Sequence, residues 1–196
     1  MDLHVNSENV ATSASKKATY ADIEALPEHV TGQLLEGELV AFPRPSGEHA
    51  IVSSALGAQL GRPLQLGRGG PGGWWILDEP EIHLAEDVLV PDLAGWRTSR
   101  LSSPKGPFQT VAPDWACEVL SPSTARIDRG QKLRIYAREG VGHVWLVDPA
   151  ARTLEVLERD GATWRLLGVW SGDERVKAAP FDAVEVELGL LWPFAH

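Results

Sequence analysis

The stretch that decides the fold is Asp114-Trp115-Ala116-Cys117-Glu118-Val119-Leu120-Ser121-Pro122-Ser123-Thr124. It begins as a short apolar run that contains a single carboxylate, Glu118, and it ends in residues typical of the start of a helix. A basic helical segment (residues 126–139) and a second apolar run (residues 143–147) follow. This order of strand, helix and strand predicts a parallel crossover unit. A carboxylate inside an otherwise buried strand is costly unless it is paired or binds a metal, so Glu118 must have a partner.

Length and composition predict one globular domain. The chain has 196 residues, of which 43% are hydrophobic. We expect residues 1–18 to form a disordered tail before a single domain at residues 19–196. The net charge of −9 argues against a broadly basic nucleic-acid surface, but it leaves room for a local basic groove.

Several classes of protein are excluded by what the sequence lacks. Its single cysteine excludes an intramolecular disulfide and a cysteine-based zinc site, and it favours a reducing cytoplasm. No run of apolar residues is long enough to span a membrane, and residues 1–17 have no apolar segment typical of a secretory signal. We therefore expect a cytoplasmic protein with no membrane partner.

The whole chain predicts an α/β fold, with a mixed central sheet flanked by helices and antiparallel strands at the C-terminus. Thr19 is expected to cap a first helix with Asp22 as its acidic partner. A second helix is expected at residues 49–66, with Pro63 ending its regular part, and a hairpin at residues 34–42. Further strands are expected at residues 74–77, 81–84, 88–96, 153–158, 163–170 and 184–188.

Side-chain alternation along the predicted strands indicates that two carboxylates can lie close together. Glu118 shares a strand face with Ala116 and Leu120, whereas Cys117 points to the opposite face. Asp92 lies in the predicted strand 88–96, and it meets Glu118 if the two strands pair. Converging carboxylates repel each other unless they are protonated or bridged by a cation. Oxygen ligands of this kind suit Mg²⁺ or Mn²⁺.

The basic helix supplies a cation near these carboxylates. Asp128, Lys132 and Tyr136 are spaced four residues apart, so they form one polar stripe along the helix. Two carboxylates and a lysine around one metal can hydrolyse a phosphodiester, because the metal activates water and the lysine stabilises developing charge. We expect Lys132 to be exposed, so that its replacement costs little stability.

Each of these residues also has a plain structural interpretation. An aspartate after a proline is usually a turn residue, and a strand glutamate usually lies at an exposed edge. A lysine four residues after an aspartate is usually a surface ion pair. Each plain interpretation is favoured for its residue alone, but the combination of two acidic strands and a basic helix favours the site.

These residues resemble a known family. The resemblance is carried by Val-Pro-Asp at 90–92, Cys-Glu-Val-Leu-Ser-Pro-Ser-Thr at 117–124, the Asp128, Lys132 and Tyr136 stripe, and Trp-Leu-Val-Asp-Pro at 145–149. They resemble the Uma-two family of restriction-endonuclease-like proteins, within the PD-(D/E)XK nuclease superfamily, over residues 19–192. The resemblance implies a restriction-endonuclease-like fold and a Mg²⁺- or Mn²⁺-dependent endonuclease acting on DNA. It also implies that Asp92 and Glu118 bind the metal and that Lys132 is the catalytic lysine. We also expect a homodimer.

The sequence departs from the pattern of the family at two positions. Leu120 stands where the superfamily has its lysine, so Lys132 on the following helix is the candidate substitute. Gln33 stands where the family has a glutamate, whereas the nearby Glu38 matches and is a secondary candidate. His49 also matches, and two roles stay open for it: a hydrogen bond at the start of the helix, or a part in catalysis.

Nucleic acid is expected to lie along the basic helix, chiefly at Arg126, Arg129 and Arg134. Arg138, Arg97, Arg100 and Lys105 extend this predicted strip. Two alternatives to the nuclease remain. One is a catalytically weak or inactive nuclease fold that acts as a nucleic-acid-binding or regulatory module. The other is a structural dimer with no ligand.

Overall fold

The computed structural model describes residues 17–42 and 45–192. The helices are α1 (Tyr20–Glu24), α2 (Gly47–Leu60), α3 (Ala125–Ile127) and α4 (Leu133–Glu139). One π-helical turn, Gly61–Gln65, directly follows α2, and another, Asp128–Lys132, joins α3 to α4. The strands are β1 (Thr31–Leu35), β2 (Glu38–Phe42), β3 (Trp74–Asp78), β4 (Ile82–Leu84), β5 (Asp87–Leu89), β6 (Leu93–Arg97), β7 (Trp115–Val119), β8 (His143–Asp148), β9 (Thr153–Asp160), β10 (Thr163–Ser171), β11 (Arg175–Val176) and β12 (Val186–Glu187). A 3₁₀ turn, Leu188–Leu191, closes the described part of the chain.

The central sheet has six strands in the order β10-β9-β8-β7-β6-β3. Strands β7 and β8 pair in parallel, and the helical segment 125–139 connects them, which confirms the predicted crossover unit. The other neighbours in this sheet are antiparallel, including β8 with β9 and β9 with β10. The predicted α/β fold, with a mixed sheet and antiparallel C-terminal strands, is therefore confirmed.

A smaller sheet, in the order β2-β1-β5-β4, lies beside the central sheet. Its β1–β2 hairpin turns at Glu36 and Gly37, which both have positive φ angles of 55° and 88°. The prediction of one strand over residues 88–96 was wrong. Strand β5 belongs to the small sheet and β6 to the central sheet, and residues 90–92 connect them. Pro91 lies in this connection, where its missing N–H removes no ladder hydrogen bond.

Two apolar clusters cover the two faces of the central sheet. Cys117 and Val119 belong to one cluster, whereas Ala116 and Leu120 belong to the other, which also contains Ile135 of α4. The predicted alternation along β7 is therefore confirmed, and Glu118 points to the face that the helical segment covers. Cys117 is buried on the opposite face.

Several element boundaries differ from the predictions. The regular part of the second helix ends at Leu60, three residues before the predicted Pro63, which lies inside the π-helical turn that follows. The last predicted strand, residues 184–188, is shorter and forms β12. Residues 1–16 of the predicted tail lie outside the described residues. Ala18, which was also assigned to the tail, donates its backbone N–H to the carbonyl of Gly37 at 3.0 Å. Within the described residues, no helix has the length and apolar character to cross a membrane.

Candidate active site

A cleft of about 360 Å³ opens between the two sheets and the start of the helical segment 125–139. The predicted residues that line it are Asp92, Glu118, Asp128, Lys132, His49 and Gln33. The structure thus brings the two predicted metal ligands and the predicted lysine to one place. The other lining residues are Thr31, Phe42, Pro45, Ser46, Glu79, Val90, Ser121, Pro122, Ser123 and Thr124.

Glu118 has the partners that its burial requires. Its Oε2 accepts a hydrogen bond from Nζ of Lys132 at 2.8 Å, and its Oε1 accepts one from the hydroxyl of Tyr136 at 2.6 Å. Both partners come from the polar stripe of the helical segment. The crossover connection thus carries this stripe directly over the strand that holds Glu118.

Lys132 is buried, which corrects the expectation that it is an exposed helix lysine. Its side chain is 5% exposed, and its Nζ lies 3.2 Å from Oδ1 of Asp128 as well as 2.8 Å from Glu118. The ammonium is therefore held between two carboxylates. Oδ2 of Asp128 is buried and has no hydrogen-bond donor among the described residues.

Asp92 meets Glu118 through the pairing of β6 with β7. The register joins Leu93 to Cys117, and its continuation by one residue sets Asp92 opposite Glu118. Oδ2 of Asp92 accepts the backbone N–H of Val119 at 2.7 Å, and Oδ1 lies 2.6 Å from Nε2 of His49. The side chain of His49 therefore contacts Asp92, and only its backbone N–H takes part in the helix-start bond, to Ser46.

Burial, together with an excess of carboxylates over cations, shifts the pKa values of the groups in the cleft. Burial raises the pKa of Glu118, and the Lys132 ammonium acts in the opposite direction by favouring the charged carboxylate. Burial disfavours the charged form of Lys132, yet Glu118, Asp128 and Asp92 together raise its pKa above the ordinary value.

Burial also raises the pKa of Tyr136, so its hydroxyl stays protonated and donates to Glu118. Burial lowers the pKa of His49, but the hydrogen bond and charge of Asp92 outweigh burial and raise it overall.

The cleft contains carboxylate oxygens, the kind of donor that Mg²⁺ and Mn²⁺ prefer. No group of three or more His, Cys, Asp or Glu side chains in the described part of the chain is arranged as a ready-made metal site. Mg²⁺, however, commonly takes only one or two carboxylates and keeps several waters. Asp92 and Glu118 could supply those carboxylates, and the unpaired buried oxygen of Asp128 adds negative charge that a cation would offset.

Of three further residues, Gln33 and Glu79 line the cleft, whereas Glu38 lies outside it. Gln33 is buried in the cleft, where its Oε1 accepts the backbone N–H of Val90 at 3.1 Å. Glu38 is exposed beside the β1–β2 turn and does not line the cleft. Glu79 lines the cleft and was missed by the sequence analysis. It adopts a positive φ of 43° between β3 and β4, and the only local signal for its turn is the following Pro80.

Most of the predicted basic strip is held in ion pairs. Arg129 binds Glu155, with N–O distances of 2.9 and 2.5 Å, and Arg134 binds Glu36, with distances of 3.1 and 2.6 Å. Arg126 is exposed, and no ion pair involves it among the described residues. The remaining pairs within the strip are Arg138 with Asp87 and Glu139, and Arg100 with Asp114.

Fold and site together define a nuclease-like α/β protein with a carboxylate and lysine cleft beside a parallel crossover. The model of the family Uma2, described as "Putative restriction endonuclease", matches residues 18–189. The chain therefore belongs to the Uma2 family.

A solved structure has a similar fold. It is described as a putative nuclease belonging to DUF820 from Anabaena variabilis ATCC 29413, with a TM-score of 0.73 and 21% sequence identity. The match covers 89% of this chain and 97% of that chain. At this identity the likeness concerns the fold alone. No curated protein matches the chain.

Proposed function

We propose that the protein is a Mg²⁺- or Mn²⁺-dependent endonuclease that hydrolyses phosphodiester bonds in DNA. Asp92 and Glu118 are the proposed metal ligands, and Lys132 is the proposed catalytic lysine. The observation that carries the proposal is the contact of 2.8 Å between Nζ of Lys132 and Glu118. A lysine from the helix thereby reaches the carboxylate that, in the superfamily pattern, has its lysine two residues further along the same strand.

The side chains of the cleft have different proposed roles in this reaction. A bound Mg²⁺ would polarise the phosphate and lower the pKa of the attacking water. Lys132 stays charged between its carboxylates, so it can stabilise the negative charge that develops on the phosphate. Tyr136 holds Glu118 in one orientation through Oε1. His49 holds Asp92 through Oδ1 in the same way.

A cleavage assay on supercoiled plasmid and on circular single-stranded DNA, with Mg²⁺ or Mn²⁺, tests the proposal. We expect Asp92→Asn and Glu118→Gln each to reduce cleavage at least about 100-fold, because each removes negative charge at the metal. Glu155→Gln is the matched control, since it makes the same chemical change in a residue that binds Arg129 outside the cleft. Nicking by Glu118→Gln at the rate of the parent, with both proteins folded, would refute the assignment.

One observation favours a second candidate, a nuclease fold that binds nucleic acid without efficient cleavage. Both oxygens of Asp92 and both oxygens of Glu118 already have polar partners in the protein. A metal must therefore compete with Lys132 and His49 for them. Calorimetric titrations with Mn²⁺ and with DNA, beside the cleavage assay, separate the candidates. DNA binding without cleavage supports the module, whereas Mn²⁺ binding with cleavage supports the enzyme.

The homodimer and the cytoplasmic location stay predictions. Light scattering at micromolar concentration tests the first, and fractionation of cells that express the tagged chain tests the second.

A further inference from the structure

The cations that would follow the backbone of a duplex are largely neutralised. Duplex DNA carries one negative charge per about 1.7 Å, and duplex-binding proteins meet it with rows of lysines and arginines. In the predicted strip, Arg129, Arg134, Arg138 and Arg100 are bound to carboxylates, whereas Arg126, Arg97 and Lys105 have no ion pair among the described residues. Lys132 is turned inward. With a net charge of −9, the surface offers a duplex little attraction.

The acidic groups of the site lie at the bottom of a small cleft. Glu118 and Asp128 are 1% and 2% exposed. The cavity of about 360 Å³ is near the lower end of ligand pockets, which span roughly 300–1,000 Å³. A phosphate must enter this cavity to reach Glu118. One nucleotide fits a space of this size, whereas a backbone flanked by paired bases is held away from it.

The residues that line the cleft suit the base and the phosphate of a nucleotide. Phe42 is half-buried at the end of β2, and Nζ of Lys132 lies over its ring, 5.9 Å from the ring centre. A base stacked on this ring would have its phosphate near the lysine. Ser121, Ser123 and Thr124 contribute a cluster of hydroxyls, joined by two contacts of 3.0 Å, which can donate to phosphate oxygens.

We propose that the cleft takes one unpaired nucleotide at a time, with its base on Phe42, so that the substrate is single-stranded DNA. This inference rests on the proposed phosphodiester hydrolysis. Single-stranded DNA enters the cleft without the free energy that unpairing and unstacking a base of a duplex requires.

Cleavage and binding of matched DNA test the inference. One labelled 20-nucleotide strand is supplied alone and as its duplex, with Mn²⁺ for cleavage and without metal for binding by fluorescence anisotropy. We expect kcat/KM to be at least about tenfold higher, and binding correspondingly tighter, for the single strand. Equal or faster cleavage of the duplex would overturn the inference and leave the proposed function standing. Cleavage of neither would overturn both.

Phe42→Leu isolates the contribution of the aromatic ring. Thymidine 5′-(p-nitrophenyl phosphate) and methyl p-nitrophenyl phosphate share the same leaving group, and only the first carries a base. We expect Phe42→Leu to lower kcat/KM about tenfold more for the thymidine ester than for the methyl ester, because only the thymidine ester carries a base that can stack on the ring. Phe108→Leu is the control, because Phe108 is a partly exposed aromatic residue stacked on His83 outside the cleft. Equal losses on both esters would overturn the proposed stacking.

Discussion

Lys132 and Glu118 form an ion pair whose side chains are only 5% and 2% exposed. Such a pair gains little net stability, because removing two charges from water costs about as much as their attraction returns. The loss of one partner is different, because it leaves the other charge buried alone. The residues that are proposed to perform chemistry are therefore also sensitive points of the fold.

Lys132→Met should destabilise the protein by about 3–5 kcal/mol, because Glu118 and Asp128 lose their shared cation. Urea unfolding measures the change. Lys132→Met/Glu118→Gln should lose less, since one unpaired charge is then removed. Arg134→Met is the control, because the solvent-exposed ion pair between Arg134 and Glu36 should contribute less than about 1 kcal/mol to the free energy of unfolding. A loss for Lys132→Met no larger than that of the control would contradict the burial of the pair.

His49 should make stability depend on pH. Asp92 raises the pKa of His49 above its ordinary value of 6.5, despite the opposing effect of burial. The folded state therefore binds the proton more tightly than the unfolded state does. This contribution to the free energy of unfolding is complete below pH 6.5 and is lost as the pH rises through the folded pKa.

Unfolding by urea between pH 5.5 and 9 measures this effect. The stability of the parent should fall with rising pH more steeply than that of His49→Gln. Above the folded pKa of His49, the difference in stability between the two proteins should become constant. His29→Gln serves as the control, because His29 is exposed. Parallel curves for the parent and His49→Gln would show that the pair with Asp92 does not stabilise the fold.

At the scale of elements, the helical segment 125–139 combines two kinds of helix. The i, i+4 spacing predicted the stripe of Asp128, Lys132 and Tyr136, and the structure directs this stripe at Glu118 and the cleft. The π-helical turn between α3 and α4 was not predicted. Turns of this kind are rare and frequently occur at functional sites.

Gly130 lies within this π-helical turn, and its surroundings leave room for a larger side chain. A Cβ atom at Gly130 would have Nη1 of Arg134 as its nearest neighbour, at 4.0 Å. Gly130→Ala should therefore raise the free energy of unfolding by roughly 0.5–1 kcal/mol, because glycine disfavours helix interiors. Gly95→Ala should instead destabilise, since its Cβ would lie 3.1 Å from both Ile76 and Trp115. Thermal unfolding of the two variants checks both signs, and a destabilised Gly130→Ala would mean that the turn requires glycine.

At the scale of the whole molecule, acidic side chains neutralise four arginines of the predicted basic strip, namely Arg129, Arg134, Arg138 and Arg100. The partners lie far apart in the chain, as Arg134 and Glu36 do at a separation of 98 residues. The net charge of −9 therefore describes the surface better than the local basic density of the helix does.

Binding of DNA should consequently depend only weakly on salt. A single strand that makes one to three phosphate contacts should lose about 0.7–2 log units of affinity per tenfold increase in salt. Anisotropy titrations at NaCl concentrations from about 20 to about 200 mM measure how the affinity depends on salt. A slope steeper than about 5 log units would require the ion-paired arginines to be released to DNA.

The sequence by itself determined the features that depend on local spacing. Side-chain alternation put Glu118 on the face opposite to Cys117, and the i, i+4 spacing aligned Lys132 with Tyr136. The glycine turn set the β1–β2 hairpin, and the motifs identified the family. Each of these follows from the period of a strand or helix, or from the backbone preference of a residue, so neighbours along the chain suffice.

Only the tertiary structure decided which distant groups meet. It divided residues 88–96 between two sheets, buried Lys132 between two carboxylates, and brought the His49 side chain to Asp92. It also paired Arg129 and Arg134 of the helical segment with carboxylates from other elements. These outcomes depend on burial and on charges that are remote in sequence, because electrostatic free energy is set by distance and solvent exposure in space, and local periodicity carries neither.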